Sequence, residues 1–300
     1  NISFFDQRIK KKLPKLSSLK KINWSNLDIV FLSLPNGEAQ KIIKDNYKKY
    51  NKIKFIDLSA DFRITNSKIY YKNYKINHKA KNLIKYSLYS ISELRKKVIK
   101  NYRIISNPGC YPTSIQIPLI PIIKKDLINN NEIIIDSKSG YSGAGRGVHK
   151  KYKNKNLYDS LSAYGIGFHR HNSEIFQELG KYSKNKLKFD FTPHLSPMFK
   201  GILSTIYLSL NHNITQSKVI SNLENFYKKD KFVKILKKNK LISTNDVVDT
   251  NYCYISICKT QNKNRLIILS AIDNLIKGGA GQAIQNLNIK FNFPISTGLK

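Results

Sequence analysis

The 300-residue chain reads as an α/β protein, a Rossmann-type doubly wound domain joined to an α+β domain with a mixed or antiparallel sheet. In the first third of the chain, short apolar runs alternate with helical segments, the rhythm of strand–helix–strand units around a parallel sheet. From about residue 132 that rhythm gives way to a series of strands separated by irregular connections. At roughly 150 residues per domain, the length leaves room for two.

Asp28 to Leu34 is an apolar run of the kind that makes a buried parallel strand. Pro35-Asn36-Gly37 ends it, and Asn36 is placed to cap a helix reaching about Tyr50. Lys54 to Ser59 is the next strand, and Asn66 to Lys85, polar and rich in Tyr and Lys, reads as a surface excursion. Ser90 to Glu93 has capping-box spacing and opens a short helix. Tyr102 to Ser106 is a third strand, closed by Asn107-Pro108-Gly109, and a helix follows from Cys110. Pro118 and Pro121 should kink or shorten that helix beyond its first turn. Glu132 to Asp136, Lys188 to Phe191, Ile202 to Leu210, Cys253 to Lys259 and Leu266 to Ala271 then read as strands. Helices are expected near Asn172 to Lys184 and Gln216 to Lys229, with a last one from Gly278 to Ile289. The expected division is a discontinuous nucleotide-binding domain, 1–109 with 273–300, around a catalytic domain, 110–272.

A composition of 41% hydrophobic and 24% charged residues fits a globular protein. Three cysteines exclude a disulfide framework, and no third or fourth ligand stands at zinc-site spacing, so no metal is expected. Without a long apolar run or a signal peptide, the reading is a cytoplasmic protein with no membrane partner. The formal net charge of +34 raises nucleic acid as a partner, but the surplus is nearly all lysine and is spread over the chain. Lys, Asn, Ile and Tyr, all abundant here, share A/T-rich codons, so base composition accounts for the skew. Attraction to polyanions at low salt follows, but no specific nucleic-acid site does.

The chemistry concentrates in a few segments. In Ser106-Asn-Pro-Gly-Cys-Tyr-Pro-Thr113 a strand ends in a turn and Cys110 lands at a helix start. Unpaired N–H groups and the helix dipole there favour thiolate, the nucleophilic form. On position alone, a small buried cysteine fits equally well. Cys253 and Cys258 fall in a core strand and read as packing. Of six histidines, His78 and His212 lie in polar stretches and read as surface, His149 follows a glycine-rich loop, and His194 suits a core position. His169-Arg170-His171 differs: an arginine that can hold an anion is bracketed by two imidazoles just before a helix start. Ser139 to Gly147 lets backbone approach a ligand and supplies Arg146 as an anion donor. Neither a Walker motif nor a GxGxxG fingerprint occurs.

Taken together these segments resemble the N-acetyl-γ-glutamyl-phosphate reductases of arginine biosynthesis, within the semialdehyde dehydrogenase superfamily. The blocks are Val30 to Gly37, Ile56 to Arg63, Asn107 to Thr113, Asp136 to Arg146, Ala163 to Gly165 with His169 to His171, Phe191 to Leu195 and Asp273 to Gln282. They stand in family order from about residue 28 to the end. The resemblance implies NADPH-dependent reduction of an acyl phosphate through a Cys110 thioester, with His169 stabilising the thiolate and managing the proton on oxygen. It implies Asn107, Ser139, Arg170 and His171 at the substrate. It implies Ser33, Leu34, Pro35, Ser142, Gly143, Gly145, Arg146 and Asn274 at NADPH/NADP, and a homo-oligomer, dimer or tetramer. The family's opening Gly-Ala-Ser-Gly-Tyr-Thr-Gly segment does not occur in these residues, and Asn1 to Asn26 fits the pattern poorly, so an N-terminally truncated member is expected. Weak NADPH binding and an exposed sheet edge would follow. Lys200 stands where the family carries Arg, which removes a planar fork. Aspartate-semialdehyde dehydrogenase and a carrier-linked aminoadipyl-phosphate reductase are the alternatives.

Overall fold

The computed structural model describes residues 16–144 and 159–300. Four short strands, β1 (Ile29–Leu32), β2 (Lys54–Asp57), β3 (Ser87–Tyr89) and β4 (Ile104–Ser106), form an all-parallel sheet in the order β1-β2-β4-β3. Neighbouring residues point to opposite faces. Phe55 and Ile104 therefore pack with Ile43 of α1 (Glu38–Tyr47), while Ile56 and Ile105 pack with Ala283 and Leu287 of the last helix, α7 (Gly281–Lys290). The chain thus returns to its first sheet at its end.

The second sheet has seven strands in the order β6-β7-β5-β8-β11-β10-β9. They are β5 (Ile133–Gly140), β6 (Ser162–Ala163), β7 (Phe189–Ser196), β8 (Ile202–Ser209), β9 (Val233–Ile235), β10 (Cys253–Lys259) and β11 (Arg265–Ile272). Most neighbours are antiparallel, but β5–β7 and β9–β10 are parallel. Alternate residues of β5, β8 and β11 are buried, so one face carries the core. Helices α4 (Cys110–Lys124), α5 (His171–Gly180) and α6 (Gln216–Tyr227) cover it. From Tyr111 to Ile123 every residue of α4 is buried, as expected of the central helix of a core.

Several expectations change. Gly37, not Asn36, caps α1: it takes φ +88°, and the Asp61 carboxylate accepts from its N–H at 2.8 and 2.9 Å. Within the expected surface excursion lies a helix, α2 (Ser67–Tyr74), capped by Asn66 and anchored by buried Tyr70. Ser90 does not cap α3 (Ser92–Arg95): Ile91 is the N-cap, and the Ser90 hydroxyl donates to Asn286 Oδ1. Neither Pro118 nor Pro121 breaks α4, which runs fifteen residues. The Ile117 carbonyl, which Pro121 cannot serve, accepts from the Tyr227 hydroxyl at 2.6 Å. His78 is buried, not on the surface, its Nε2 2.8 Å from the Asp61 carbonyl. β5 and β7 run longer than expected, so Ser139 and His194 lie on strands. Among the described residues no helix is long and apolar enough to cross a membrane.

Candidate active site

Cys110 is the first residue of α4, half-buried, directly after the β4 turn. The expected depression of its thiol does not dominate. Burial pushes it above its ordinary value, while the Tyr111 N–H and the Arg63 and Arg170 charges pull the other way. Two glycines make room for the site. A Cβ on Gly278 would lie 2.8 Å from the Cys110 Cβ, and one on Gly109 would lie 2.4 Å from His171 Nε2. Gly278 belongs to a π-helical turn, Ile276–Ala280, whose irregular backbone brings it against Cys110.

The fold brings His169 and His171 together beside this turn. Their ring centroids lie 4.7 Å apart, and both rings pack edge-on to Tyr111, at 5.7 and 5.9 Å. Tyr164 and Phe191 complete an aromatic enclosure for His169, at 5.4 and 5.6 Å. The Tyr111 hydroxyl donates to the His194 carbonyl and accepts from Tyr164, which fixes the ring on which both imidazoles rest. Burial, helped by Arg170, lowers His169 to about 4, and burial drives His171 well below its ordinary value. Both are neutral at pH 7. Arg170 is exposed between them.

Beneath the imidazoles lies a buried carboxylate that the sequence reading missed. Glu174 Oε2 accepts from the Gly109 N–H at 3.0 Å and the Tyr89 hydroxyl at 3.1 Å, and Oε1 accepts from Arg63 at 3.1 Å. Arg63 also donates to the carbonyls of Asn107 and Leu58. The Asn107–Cys110 turn is therefore held from both ends, by Arg63 at the Asn107 carbonyl and by Glu174 at the Gly109 N–H. The signal was a charged residue in the first turn of the helix that His171 opens.

Other expected site residues fall into groups. Asn107 is fully buried, its amide donating to the Gly279 carbonyl and its Oδ1 accepting from Asn286. These two bonds brace the turn that ends at Cys110. Ser139, Ser142, Gly143 and Asn274 converge at the end of β5. Asn274 donates to Ser142 Oγ at 3.0 Å and accepts from the Gly201 N–H at 2.6 Å, and a Cβ on Gly143 would meet Ser139 Oγ at 3.0 Å. Ser33, Leu34 and Pro35 are exposed just past the carboxyl end of β1. Gly145, Arg146 and His149 lie outside the described residues. Lys200 pairs with Asp249, with Asp273 at 4.0 Å.

A dinucleotide is compatible with these residues. The exposed carboxyl end of β1 lies at the crevice edge that such ligands use, and Gly143 offers backbone without a side chain of its own. The α1 N-terminus is not a phosphate site, because the Asp61 carboxylate already occupies it.

A family model described as "Semialdehyde dehydrogenase, NAD binding domain" matches residues 3–102, and one described as "Semialdehyde dehydrogenase, dimerisation domain" matches residues 110–274. The first match reaches well upstream of residue 28, where the sequence reading joined the pattern. The chain is 42% identical over 297 residues to the probable N-acetyl-gamma-glutamyl-phosphate reductase, chloroplastic, of Arabidopsis thaliana, covering 99% of this chain and 73% of that protein. It is 44% identical over 276 residues to the N-acetyl-gamma-glutamyl-phosphate reductase of Halothermothrix orenii, covering 92% and 79%. Among solved structures, aspartate semialdehyde dehydrogenase II from Vibrio cholerae matches with a TM-score of 0.68 at 14% identity, covering 91% of this chain and 82% of that one. At that identity the likeness is one of fold.

Proposed function

This chain belongs to the semialdehyde dehydrogenase family, alongside its N-acetyl-gamma-glutamyl-phosphate reductases, and from that membership we propose how its residues carry the reaction. The activity is the NADPH-dependent reduction of N-acetyl-L-glutamyl 5-phosphate to N-acetyl-L-glutamate 5-semialdehyde, with release of phosphate, in arginine biosynthesis.

The observation that carries the residue assignment is Cys110 at the N-terminus of α4 with two neutral imidazoles on the adjoining Tyr111. The Cys110 sulfur attacks the acyl carbon, the bond to phosphate breaks, and a thioester remains on the protein. Exposed Arg170 meets the anionic substrate, and Ser139 lines the same approach. Ser33, Leu34 and Pro35 on the first sheet and Ser142, Gly143 and Asn274 on the second flank the cofactor. NADPH, when bound, supplies hydride to the thioester carbon. His169 manages the proton on the oxygen of that carbon. Burial of the thiol and of both imidazoles keeps the resting site uncharged, so the thiolate develops only as the bond to carbon forms.

The second sheet turns its other face outward. The 236–247 segment covers one end, while Ile134 and Tyr207 remain 48% and 40% exposed. We propose that two copies of the chain pair through this face, consistent with the dimerisation-domain match.

The test is phosphate-dependent reduction of NADP⁺ with N-acetylglutamate semialdehyde, in the reverse direction, beside Cys110→Ser. Activity that needs both phosphate and Cys110 is expected. A folded, NADP-binding protein inert toward this aldehyde, but active on aspartate semialdehyde or a carrier-linked substrate, would overturn the assignment.

A further inference from the structure

We infer that Asp273 is a positioning residue for the proposed reaction: its carboxylate fixes the turn that seats Gly278 against Cys110 and keeps Asn274 in register with Ser142, so that the thiol and the cofactor residues hold one spacing. The inference rests on the thioester reading above and adds a residue which that reading leaves out.

The first observation is where this carboxylate makes its bonds. Asp273 is fully buried, directly after β11. Burying a carboxylate is costly unless its oxygens are hydrogen-bonded. Oδ1 accepts from the Leu275 and Ile276 N–H groups at 2.8 and 3.0 Å, and Oδ2 accepts from the Asp249 N–H at 2.9 Å. Lys200 stands 4.0 Å from Oδ2, its amine engaged by exposed Asp249. Three backbone N–H groups therefore hold the carboxylate, and the carboxylate in turn fixes that backbone.

The second observation is what that backbone supports. The Asp273 carbonyl accepts from the Gly278 N–H at 2.9 Å, so side chain and main chain of one residue hold both the start of the π-helical turn and the glycine inside it. Gly278 leaves no room for a Cβ beside Cys110. The next carbonyl, of Gly279, accepts from the Asn107 amide at 3.0 Å. A shift of the turn thus reaches Cys110 by contact and Asn107 through a bond. On the other side, Asn274 is joined to Ser142 Oγ and the Gly201 N–H. The Ser142 N–H donates to the Phe199 carbonyl and the Gly140 N–H to the Gly201 carbonyl, both at 2.9 Å. Asp273 and Asn274 are consecutive, so the anchor of the Cys110 side lies one peptide bond from the anchor of the cofactor side.

No bond is made or broken at Asp273. Its effect is geometric: hydride transfer needs the thioester carbon and the cofactor at one fixed separation, and misplacement by about 1 Å costs on the order of 100-fold in rate. A carboxylate suits the task because it only accepts. An asparagine there has one oxygen and one NH₂ group, so it must turn N–H either toward the Asp249 N–H or toward the Leu275 and Ile276 pair. One of the two anchors is then lost while the size of the side chain is kept.

The experiment compares Asp273→Asn with wild type, with Cys110→Ser as the control. For aldehyde oxidation, kcat should fall by about 100-fold while the KM for the aldehyde changes little. The readout independent of substrate is the rate of iodoacetamide alkylation at pH 7, mapped to each cysteine by mass spectrometry. Cys110 is expected to react faster as Gly278 draws away from it, while fully buried Cys253 stays protected. A wild-type kcat, or a wild-type alkylation rate at Cys110, in a folded Asp273→Asn would overturn the inference. So would Cys253 opening in step with Cys110 in a variant that keeps its native circular dichroism, since that is a structural role alone. If the variant does not fold, hydrogen–deuterium exchange of the wild-type chain decides the matter. Residues 274–281 should exchange as slowly as β10, and exchange within seconds would show that Asp273 does not hold the turn. Because alkylation needs no substrate, an inert aldehyde assay in wild type with the expected alkylation pattern would fault the substrate reading and leave this one standing.

Discussion

Gly109 and Gly278 bracket Cys110, and both are glycine for lack of space. Gly109→Ala would push its methyl into the His171 imidazole, and a displacement near 1 Å beside the proposed reaction centre costs on the order of 100-fold in rate. Steady-state kinetics should show that loss in kcat, with KM and the melting temperature changing far less. A variant with unchanged kcat would mean that the His171 ring position is immaterial. At this level the sequence was legible where chemistry and neighbours coincide. Cys110, His169 and His171 stand in short motifs whose geometry is local. Glu174 and Arg63 were not recognised, because their partnership spans 111 positions and no local pattern announces it.

Helix α4 shows what a neighbouring element can overrule. Two prolines predict a break, yet the helix continues through a fully buried path. The Tyr227 hydroxyl from α6 takes the Ile117 carbonyl that Pro121 leaves unserved. Tyr227→Phe removes the donor and keeps the ring, leaving a buried carbonyl unsatisfied. The expected cost is about 1–3 kcal/mol, read as a lower urea midpoint with activity kept in the folded protein. An unchanged midpoint would show that the carbonyl finds another partner. The strands teach a similar lesson. The apolar run predicted only Glu132 to Asp136, because Ser137 and Ser139 interrupt it. In the fold Ser137 Oγ lies 2.7 Å from Ser204 Oγ in the core, which makes a serine as admissible there as an isoleucine.

The two sheets are joined through buried charges. Lys277, fully buried, donates to Glu93 Oε1 at 2.6 Å and to Gln285 Oε1 at 2.8 Å, while Arg63 and Glu174 link the first sheet to the helix bearing His171. Removing one partner of such a pair strands a charge, at about 3–5 kcal/mol. The buried histidines set a pH dependence. His169 is lowered to about 4, so below its ordinary value of 6.5 the unfolded chain binds a proton that the folded chain refuses. Stability is whole above about pH 6.5 and falls as pH drops toward 4. Asp57, raised by burial to about 7, acts in the opposite sense, since its folded form favours the proton. The clean measurement is therefore the difference in urea midpoint between wild type and His169→Gln, in which Asp57 cancels. The variant should gain on wild type by ~1–3 kcal/mol between pH 6.5 and 4. A difference that stays flat would mean that His169 titrates normally in the folded state.

Periodicity and punctuation were enough to place β1, β2 and β4 of the parallel sheet, β5, β7, β8, β10 and β11 of the second, and the cysteine at its helix start, since each depends on residues within a few positions of one another; the short strands β3, β6 and β9 carry too few residues for a pattern. Motif order was enough to point to the family. What the chain could not announce was set by long-range packing. The fixed carboxylate beneath His171 and the neutrality of both imidazoles arise from partners and burial supplied by other elements. So does the internal use of Asn107, which both sheets' connections claim as a brace. Local sequence fixes which groups are present, but their protonation and their free valences depend on which distant atoms are brought within hydrogen-bond reach and how much water is excluded around them.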